Sequence, residues 1–567
     1  MIAETGSSNA HAPGLDKSRP RMNPSPNIQR WRTLVLTSVP IVLPIDRRSF
    51  LRQAGGLLAL TGAAALGTGC SSSSFRSAPA STTSTATKIL SPAAWSALRA
   101  SLSGRLVLPD DPDYPTAKLV YDLRFADITP VGIAYCASSA DVQRCVDFAR
   151  RFALPIAARS GGHSYGGYST GHGLVVDVTT MSAASVESTG SGGPTATVGS
   201  GTLLIDLYNQ LSGAGMLLPG GSCPTVGIAG LTLGGGVGVV GRKYGLTCDN
   251  LESLEIVTAD GSLIQCDPGD HADLLWASQG GGGGNFGIVT SFTFGVHPMP
   301  GLSLFTLEWP WAAAADVLGA WQAWAPDAPD ELWSNCQLLS AGSTGQKARS
   351  TGVLVGTPNT LTSLLQPFEQ AVSATPTYRF VGPESYLPAM LIEAGCEGLT
   401  VPQCHLPEQN PSGTLSRSTF VAKSAYVATA MPGTGLQAAA QLVTDLQESQ
   451  PGVGGGLVFD AYGGIINRVA PDATAFIHRG ALCAIESSVS WGPSPSSAAV
   501  AAGQAWLAHA AAMLAPYTDG SAYQNYIDPT LSDWQQAYYG ANLDRLIRVK
   551  QTYDPDNVFH FAQSIPT

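Results

Sequence analysis

The sequence predicts an α+β protein of two domains, and three observations carry that prediction. The chain has 567 residues, too many for one ordinary hydrophobic core. From about residue 120 helical and strand periodicities alternate, joined by turns unusually rich in glycine. From residue 301 the texture changes to strand-like segments between alanine-rich helices, with a gathering of tryptophans. Apolar residues make up 44% and charged residues 13%, the balance of a globular chain with large buried cores. A net charge of −11 with no basic stripe excludes a nucleic-acid or anionic-membrane partner, because phosphate binding needs a basic face.

Residues 1–87 read as an N-terminal extension, a signal and a linker. Asp46-Arg47-Arg48-Ser49-Phe50-Leu51-Arg52 has the paired arginines of a twin-arginine signal, followed by a mildly apolar run from Gly55 to Gly69. The competing reading is a chance Arg-Arg before an apolar helix. The run is too short and too rich in Gly and Thr to span a bilayer, so no transmembrane span is expected there. Export by the twin-arginine route, to the outside or to the cell envelope, is expected instead. That route moves proteins that are already folded. Met22 is another candidate initiator. Leu66-Gly67-Thr68-Gly69-Cys70 is similar to a lipoprotein box with its leucine one place early, which makes Cys70 a candidate lipid anchor. Residues 71–87 are dominated by Ser, Thr, Ala and Pro and read as a flexible linker.

The first domain is expected over residues 88–300. Val142, Cys145, Val146, Ala149 and Phe152 predict a helix over 139–152, capped by Ser138 or Ser139. Strands follow at 154–159 and 173–178, then a helix at 203–211. The second domain, 301–510, holds Trp309, Trp311, Trp321, Trp324 and Trp333, with strands at 303–309 and 456–462. The tail, 511–567, reads as short strands and an amphipathic helix through Leu543, Leu546, Ile547 and Val549 that packs back on the first domain. Cys396 and Cys404 are close enough to close a loop, and Cys248 with Cys266 is a weaker pairing. Neither Cys-x-x-Cys nor His-x-x-x-His occurs, so no metal site is expected. Nothing in the sequence fixes an oligomeric state beyond monomer or dimer.

Two pattern matches are decoys. Gly162-His163-Ser164-Tyr165-Gly166 has the form of a hydrolase nucleophile elbow, but no helix can begin in the glycine-rich stretch that follows. Gly236 to Gly241 has the form of a dinucleotide fingerprint, but no buried strand precedes it. Both read as tight turns. What remains is Arg159-Ser160-Gly161-Gly162-His163-Ser164, an imidazole within a run of free backbone N–H groups, and Cys223-Pro-Thr-Val226-Gly227-Ile-Ala-Gly230, a thiol within another. Consecutive N–H groups framed by glycine cradle anionic oxygens, and a pyrophosphate is the obvious guest. Each segment alone is equally a glycine-rich turn with a bystander His or Cys.

Together the two segments resemble the berberine-bridge-enzyme-like FAD-linked oxidases of the vanillyl-alcohol-oxidase superfamily. The resemblance extends through Tyr244-Gly-Leu-Thr-Cys-Asp-Asn250, Asp273-Leu-Leu-Trp-Ala277, Gly284-Asn-Phe-Gly-Ile288-Val-Thr290 and Asp554-Pro-Asp-Asn-Val-Phe559. It implies a two-domain PCMH-type FAD-binding fold whose substrate domain is an antiparallel sheet covered by helices. It also implies FAD held by two covalent bonds, from His163 to the 8α-methyl carbon and from Cys223 to C6 of the ring. The other cofactor-binding positions it implies are Arg159, Ser160, Gly161, Gly162, Ser164, Val226, Gly227, Gly230, Gly235, Ile288, Tyr523 and Asn525. Tyr523-Gln-Asn525-Tyr526 matches the family's Y-x-N-Y segment and makes Tyr526 the candidate base. Asp460, in Phe459-Asp-Ala-Tyr-Gly-Gly464, falls where carbohydrate-oxidising members carry an aspartate beside that tyrosine. The competing reading makes Tyr526 a core residue and Asp460 a turn residue. The glutamate base of benzylisoquinoline-oxidising members falls at Ala484, with Glu486 two residues on as a reserve. Valine at 226 is similar to the oxidase form of the family's oxygen-access position.

The function expected is therefore hydride transfer from an alcohol or hemiacetal carbon of a sugar or glycosylated natural product to FAD, with O2 reduced to H2O2. The tryptophans of the second domain could offer stacking faces to sugar rings, or be ordinary core. Two readings from other classes stand beside it: a serine esterase using Ser164, and a non-catalytic flavin- or sugar-binding lipoprotein.

Overall fold

The computed structural model describes residues 90–190 and 193–567; the twin-arginine segment, the linker and Cys70 lie outside them. Helix Ser139–Phe152 forms where its apolar spacing predicts, with the Ser138 side chain accepting the Asp141 N–H as its cap. Val142, Cys145, Val146 and Ala149 are buried, and the helix stops at Ala153, which takes a left-handed conformation with φ 51°. Its buried face lies on a four-stranded sheet of Arg105–Val107, Gly132–Tyr135, Leu174–Asp177 and Ile156–Arg159, in that spatial order. The last three strands are parallel and the first is antiparallel to its neighbour. A second sheet, wholly antiparallel, orders Ala184–Gly190, Gly193–Gly199, Ile288–Gly295, Leu251–Val257 and Leu263–Cys266.

Residues 302–491 supply a seven-stranded antiparallel sheet. Its order is Tyr378–Glu384, Leu302–Trp309, Gln346–Val355, Leu332–Ala341, Gly454–Ala461, Cys483–Trp491 and Thr419–Val427. Strand period two divides its residues cleanly. Cys336, Leu338, Leu457, Phe459, Cys483, Ile485 and Val489 pack against the helices Ala314–Trp324, Gly433–Ser449 and Ser497–Leu514. Their alternates, including Asn335, Gln337, Val458, Asp460, Glu486 and Ser488, face the other way. Helix Ser497–Leu514 begins the stretch Ser497–Tyr517, which is long and apolar enough to cross a membrane, yet Trp506, Leu507, Ala510 and Leu514 are buried in this core.

The tail departs from expectation. Residues 515–567 form helices Trp534–Tyr539 and Leu543–Tyr553 and no strand. Side chains meet its backbone groups in place of a ladder: Asn285 Oδ1 accepts the Ile565 N–H at 2.9 Å. Buried Lys550 pairs with Asp554 at 2.6 Å and also donates to the carbonyls of Asn285 and Phe559. Cys396 and Cys404 form a disulfide with a Cα–Cα distance of 5.8 Å. The Cys248–Cys266 pairing is overturned, since both are free and buried in different apolar clusters.

Candidate active site

A cavity of about 560 Å³ lies between the glycine-rich turns and the side of the seven-stranded sheet that faces away from its helices. Its first wall is backbone. The turns at Ser160–Gly161 and Thr225–Gly227 touch so closely that a Cβ on Gly161 would strike Gly227 N and Thr225 O, and one on Gly227 would strike Ser160 Oγ. Gly162 holds φ 74°, in the region only glycine enters without strain. The two segments that carried the sequence argument are therefore one physical surface.

His163 rises from this surface with Nε2 2.8 Å from Thr225 Oγ1 and its ring stacked on Tyr121 at 4.0 Å between centroids. Burial, helped by the charge of Arg417, pulls its pKa down to about 3, so the imidazole is neutral. Cys223 lines the same cavity, and burial, with the Glu486 charge, pushes its thiol up to about 12. Val226, Gly230, Ile288 and Ser164 complete this wall. Arg159 is tied to Asp177 at 2.5 Å, while its Nη1 and the hydroxyl of Thr170 are buried on the cavity wall with no partner among the described residues. Orphaned buried donors in a glycine-framed wall suit a ligand rich in oxygen acceptors. The residues present thus fit FAD.

Tyr523 and Asn525 line the cavity and also staple it. Tyr523 OH accepts the Gly236 N–H at 2.9 Å, and Asn525 Nδ2 donates to Leu231 O at 3.0 Å. Gly235 is the one expected cofactor position that does not border the cavity; it packs against Phe476 and Tyr523 with φ 122°.

The opposite wall is side chains from the sheet: Trp333, Phe420, Val458, Asp460, Glu486 and Ser488. Tyr526 projects over it from the turn Gln524–Tyr526, stacked on Tyr165 with centroids 5.1 Å apart and planes 3° apart. Tyr165 OH donates to Glu486 Oε1 at 3.4 Å, and the Tyr526 phenol is coupled to the same carboxyl. Asp460 lies directly opposite Asn335 on the neighbouring strand. Both carboxyls act on the Tyr526 phenol, Glu486 more strongly than Asp460. The reason is register: Asp460 sits opposite Ala484, and Glu486, one pleat along, reaches the tyrosines. Ala484 does not line the cavity.

Burial raises Asp460 to about 7 and, with the Asp460 charge added, Glu486 to about 8. Burial also raises the Tyr526 phenol, and Glu486, Tyr165 and Asp460 raise it further, so it is fully protonated at neutral pH. The arrangement can carry a proton from a bound hydroxyl through a phenol to a carboxyl.

Sequence reasoning passed over Tyr121 and Tyr165. Tyr165 stands two residues after His163, and that proximity was the available signal. Of the five tryptophans singled out, Trp309, Trp311, Trp321 and Trp324 belong to the helix-side core and only Trp333 lines the cavity. Its buried Nε1–H has no partner among the described residues. Ser164 is no nucleophile elbow: its hydroxyl accepts the Tyr168 N–H at 3.1 Å in a turn with no helix after it.

Comparison with known proteins places residues 130–267 in an FAD binding domain family and residues 522–566 in a family described as berberine and berberine like. An FAD-linked oxidoreductase of Bacillus subtilis is 35% identical over 477 residues, covering 82% of this chain and 98% of the relative. The solved structure of BBE-like 1 from Physcomitrella patens is 31% identical with a TM-score of 0.75, over 83% of this chain and 98% of that one. A grass pollen allergen with glucose dehydrogenase activity, Phl p 4, is 28% identical with a TM-score of 0.71, over 81% and 96% of the two chains.

Proposed function

The chain belongs to the berberine bridge enzyme-like FAD-linked oxidoreductases, and we propose that within this family it oxidises an alcohol or hemiacetal carbon of a sugar or glycosylated natural product. The proposal includes FAD bonded to both His163 and Cys223, O2 as electron acceptor, and export by the twin-arginine route. One observation carries it: His163 and Cys223 on a glycine-framed wall share a single buried cavity with Tyr526, Glu486 and Asp460.

Bound FAD would supply the hydride-accepting ring. The chain's own residues do the rest. Neutral His163 offers a ring-nitrogen lone pair to the cofactor, and the Ser160–Gly161 and Thr225–Gly227 turns bring backbone close to it. Arg159 Nη1 and Thr170 Oγ1 offer the donors that no described residue uses. On the sheet side Tyr526 accepts the substrate's hydroxyl proton while passing its own to Glu486, because a phenol held protonated needs an acceptor to act as a base. Glu486 is competent as the carboxylate, so turnover rises with pH through about 8. Trp333 Nε1–H, without a partner among the described residues, is a donor for a further hydroxyl. The glucose dehydrogenase activity of the related pollen allergen supports a carbohydrate substrate, and the β-branched Val226 supports oxygen as acceptor.

The test is anaerobic mixing of the holoenzyme with a panel of mono- and oligosaccharides and glycosides, followed by admission of O2. Bleaching of the flavin by at least one of them, then one equivalent of peroxide, is the expected result. A flavin that no hydroxylated compound bleaches overturns the substrate class; one reoxidised only by a quinone overturns the acceptor.

A further inference from the structure

A chain of buried side-chain hydrogen bonds crosses the cavity side of the sheet and ends opposite Asp460. It starts at Arg349, 2% exposed, whose Nε and Nη2 both donate to Gln337 Oε1, at 3.0 and 2.6 Å. Gln337 Nε2 donates to Asn335 Oδ1 at 3.1 Å, and Thr351 Oγ1 donates to the same oxygen at 2.9 Å. Asn335 stands directly opposite Asp460 on the adjoining strand, and its amide favours the ionised form of that carboxyl. The ladder sets these contacts: Arg349 lies opposite Gln337, Thr351 opposite Asn335, and Asn335 opposite Asp460. Residues two apart on one strand share a face, so the five side chains gather without any loop.

The chain has a direction. A guanidinium carries donors only, so it fixes the Gln337 amide with oxygen toward Arg349 and nitrogen away. That nitrogen fixes Asn335 with Oδ1 toward Gln337, and the Thr351 hydroxyl locks the same orientation. What Asn335 has left is Nδ2, a donor, presented to Asp460. We propose that Arg349, Gln337 and Asn335 form a positioning relay that fixes the orientation and proton affinity of the Asp460 carboxyl, and through it the pH window of substrate oxidation.

The charges around Asp460 make the relay matter. Glu393, from helix Tyr386–Glu393, and Glu486, on the adjoining strand, are like charges; Tyr462, Tyr526 and Cys483 are the other titratable groups that feel it. Burial and the Glu393 charge favour the neutral acid. The Asn335 amide is the opposing influence. Arg349 acts on Asp460 through the amides, since its own charge is engaged with Glu308 and Glu393.

The inference rests on the reading of Asp460 as a site residue, and the test separates the two. In holoenzyme, the protonation of Asp460 is followed by pH-dependent difference infrared spectroscopy, the carboxyl band being assigned by its loss in Asp460→Asn. The pH profile of flavin reduction is measured alongside. Gln337→Leu and Asn335→Leu should move the infrared midpoint upward by about one pH unit, a tenfold change in proton affinity. Arg349→Met should move it the same way, and Arg349→Lys, which keeps a donor toward Gln337, should restore most of it. An unmoved midpoint in folded Gln337→Leu overturns the relay, whatever becomes of Arg349→Met. A midpoint that moves while Asp460→Asn reduces flavin at the wild-type rate upholds the relay and refutes the role given to Asp460.

Discussion

The two walls of the cavity are built on opposite principles. The cofactor side is backbone: turns from residues 160–164 and 223–230 lie against each other because their glycines have no Cβ to hold them apart. The sheet side is side chains: Asn335, Asp460 and Glu486 come from three different strands and share a face by strand period. A backbone wall is intolerant of added volume and indifferent to charge. A side-chain wall tolerates shape changes and is governed by proton affinity.

The largest expected effect would break the first wall. Gly161→Val or Gly227→Val drives a side chain into backbone, a clash worth several kcal/mol, on the order of the large values seen for buried overpacking. Flavin incorporation should vanish, read as the ratio of flavin to protein absorbance. Next come the tethers: His163→Ala and Cys223→Ala should each keep flavin on one peptide after acid denaturation, and the double variant should release it all, as read by mass spectrometry of tryptic digests. On the other wall, Tyr526→Phe should keep full flavin content while slowing anaerobic flavin reduction by roughly 10²–10³-fold, the usual range for loss of a general base. A control away from both walls is Cys396→Ser with Cys404→Ser. Opening that loop should cost about 2–3 kcal/mol in denaturant titration and leave flavin reduction unchanged.

The smallest effect sharpens the contrast through pH. Asp460 and Glu486 ionise near 3.8 and 4.5 in an unfolded chain but hold their protons to about 7 and 8 when folded. Between those limits the unfolded state loses protons first, so stability is fully present below pH 4 and falls as pH rises toward 8. Asp460→Asn and Glu486→Gln remove that loss. Each should match the wild type at pH 4 and exceed it by roughly 2 kcal/mol at pH 8; equal melting temperatures at both pH values would count against the buried pair.

Legibility followed the same division. Arg159 to Ser164 and Cys223 to Gly230 were readable because a turn that needs glycine announces itself within a few residues. Helix Ser139–Phe152 was readable for the same reason, its cap and apolar stripe being local. The carboxyl that acts most on Tyr526 was not. Asp460 and Glu486 are both acids on cavity-facing positions, and only the pairing of Gly454–Ala461 with Cys483–Trp491 decides which one it is. Nor could tryptophan count distinguish Trp333 from the four that fill the helix-side core.

By itself the sequence determined an α+β flavoprotein of this family, the segments that form its cofactor wall, and the Cys396–Cys404 loop. Tertiary structure alone decided that Glu486 meets Tyr165 beside Tyr526, that Asn335 stands opposite Asp460, and that the tail is helix without strand. Backbone conformation is set by neighbours along the chain, whereas the hydrogen bonds and desolvation that set a carboxyl's proton affinity come from whatever the sheet brings beside it.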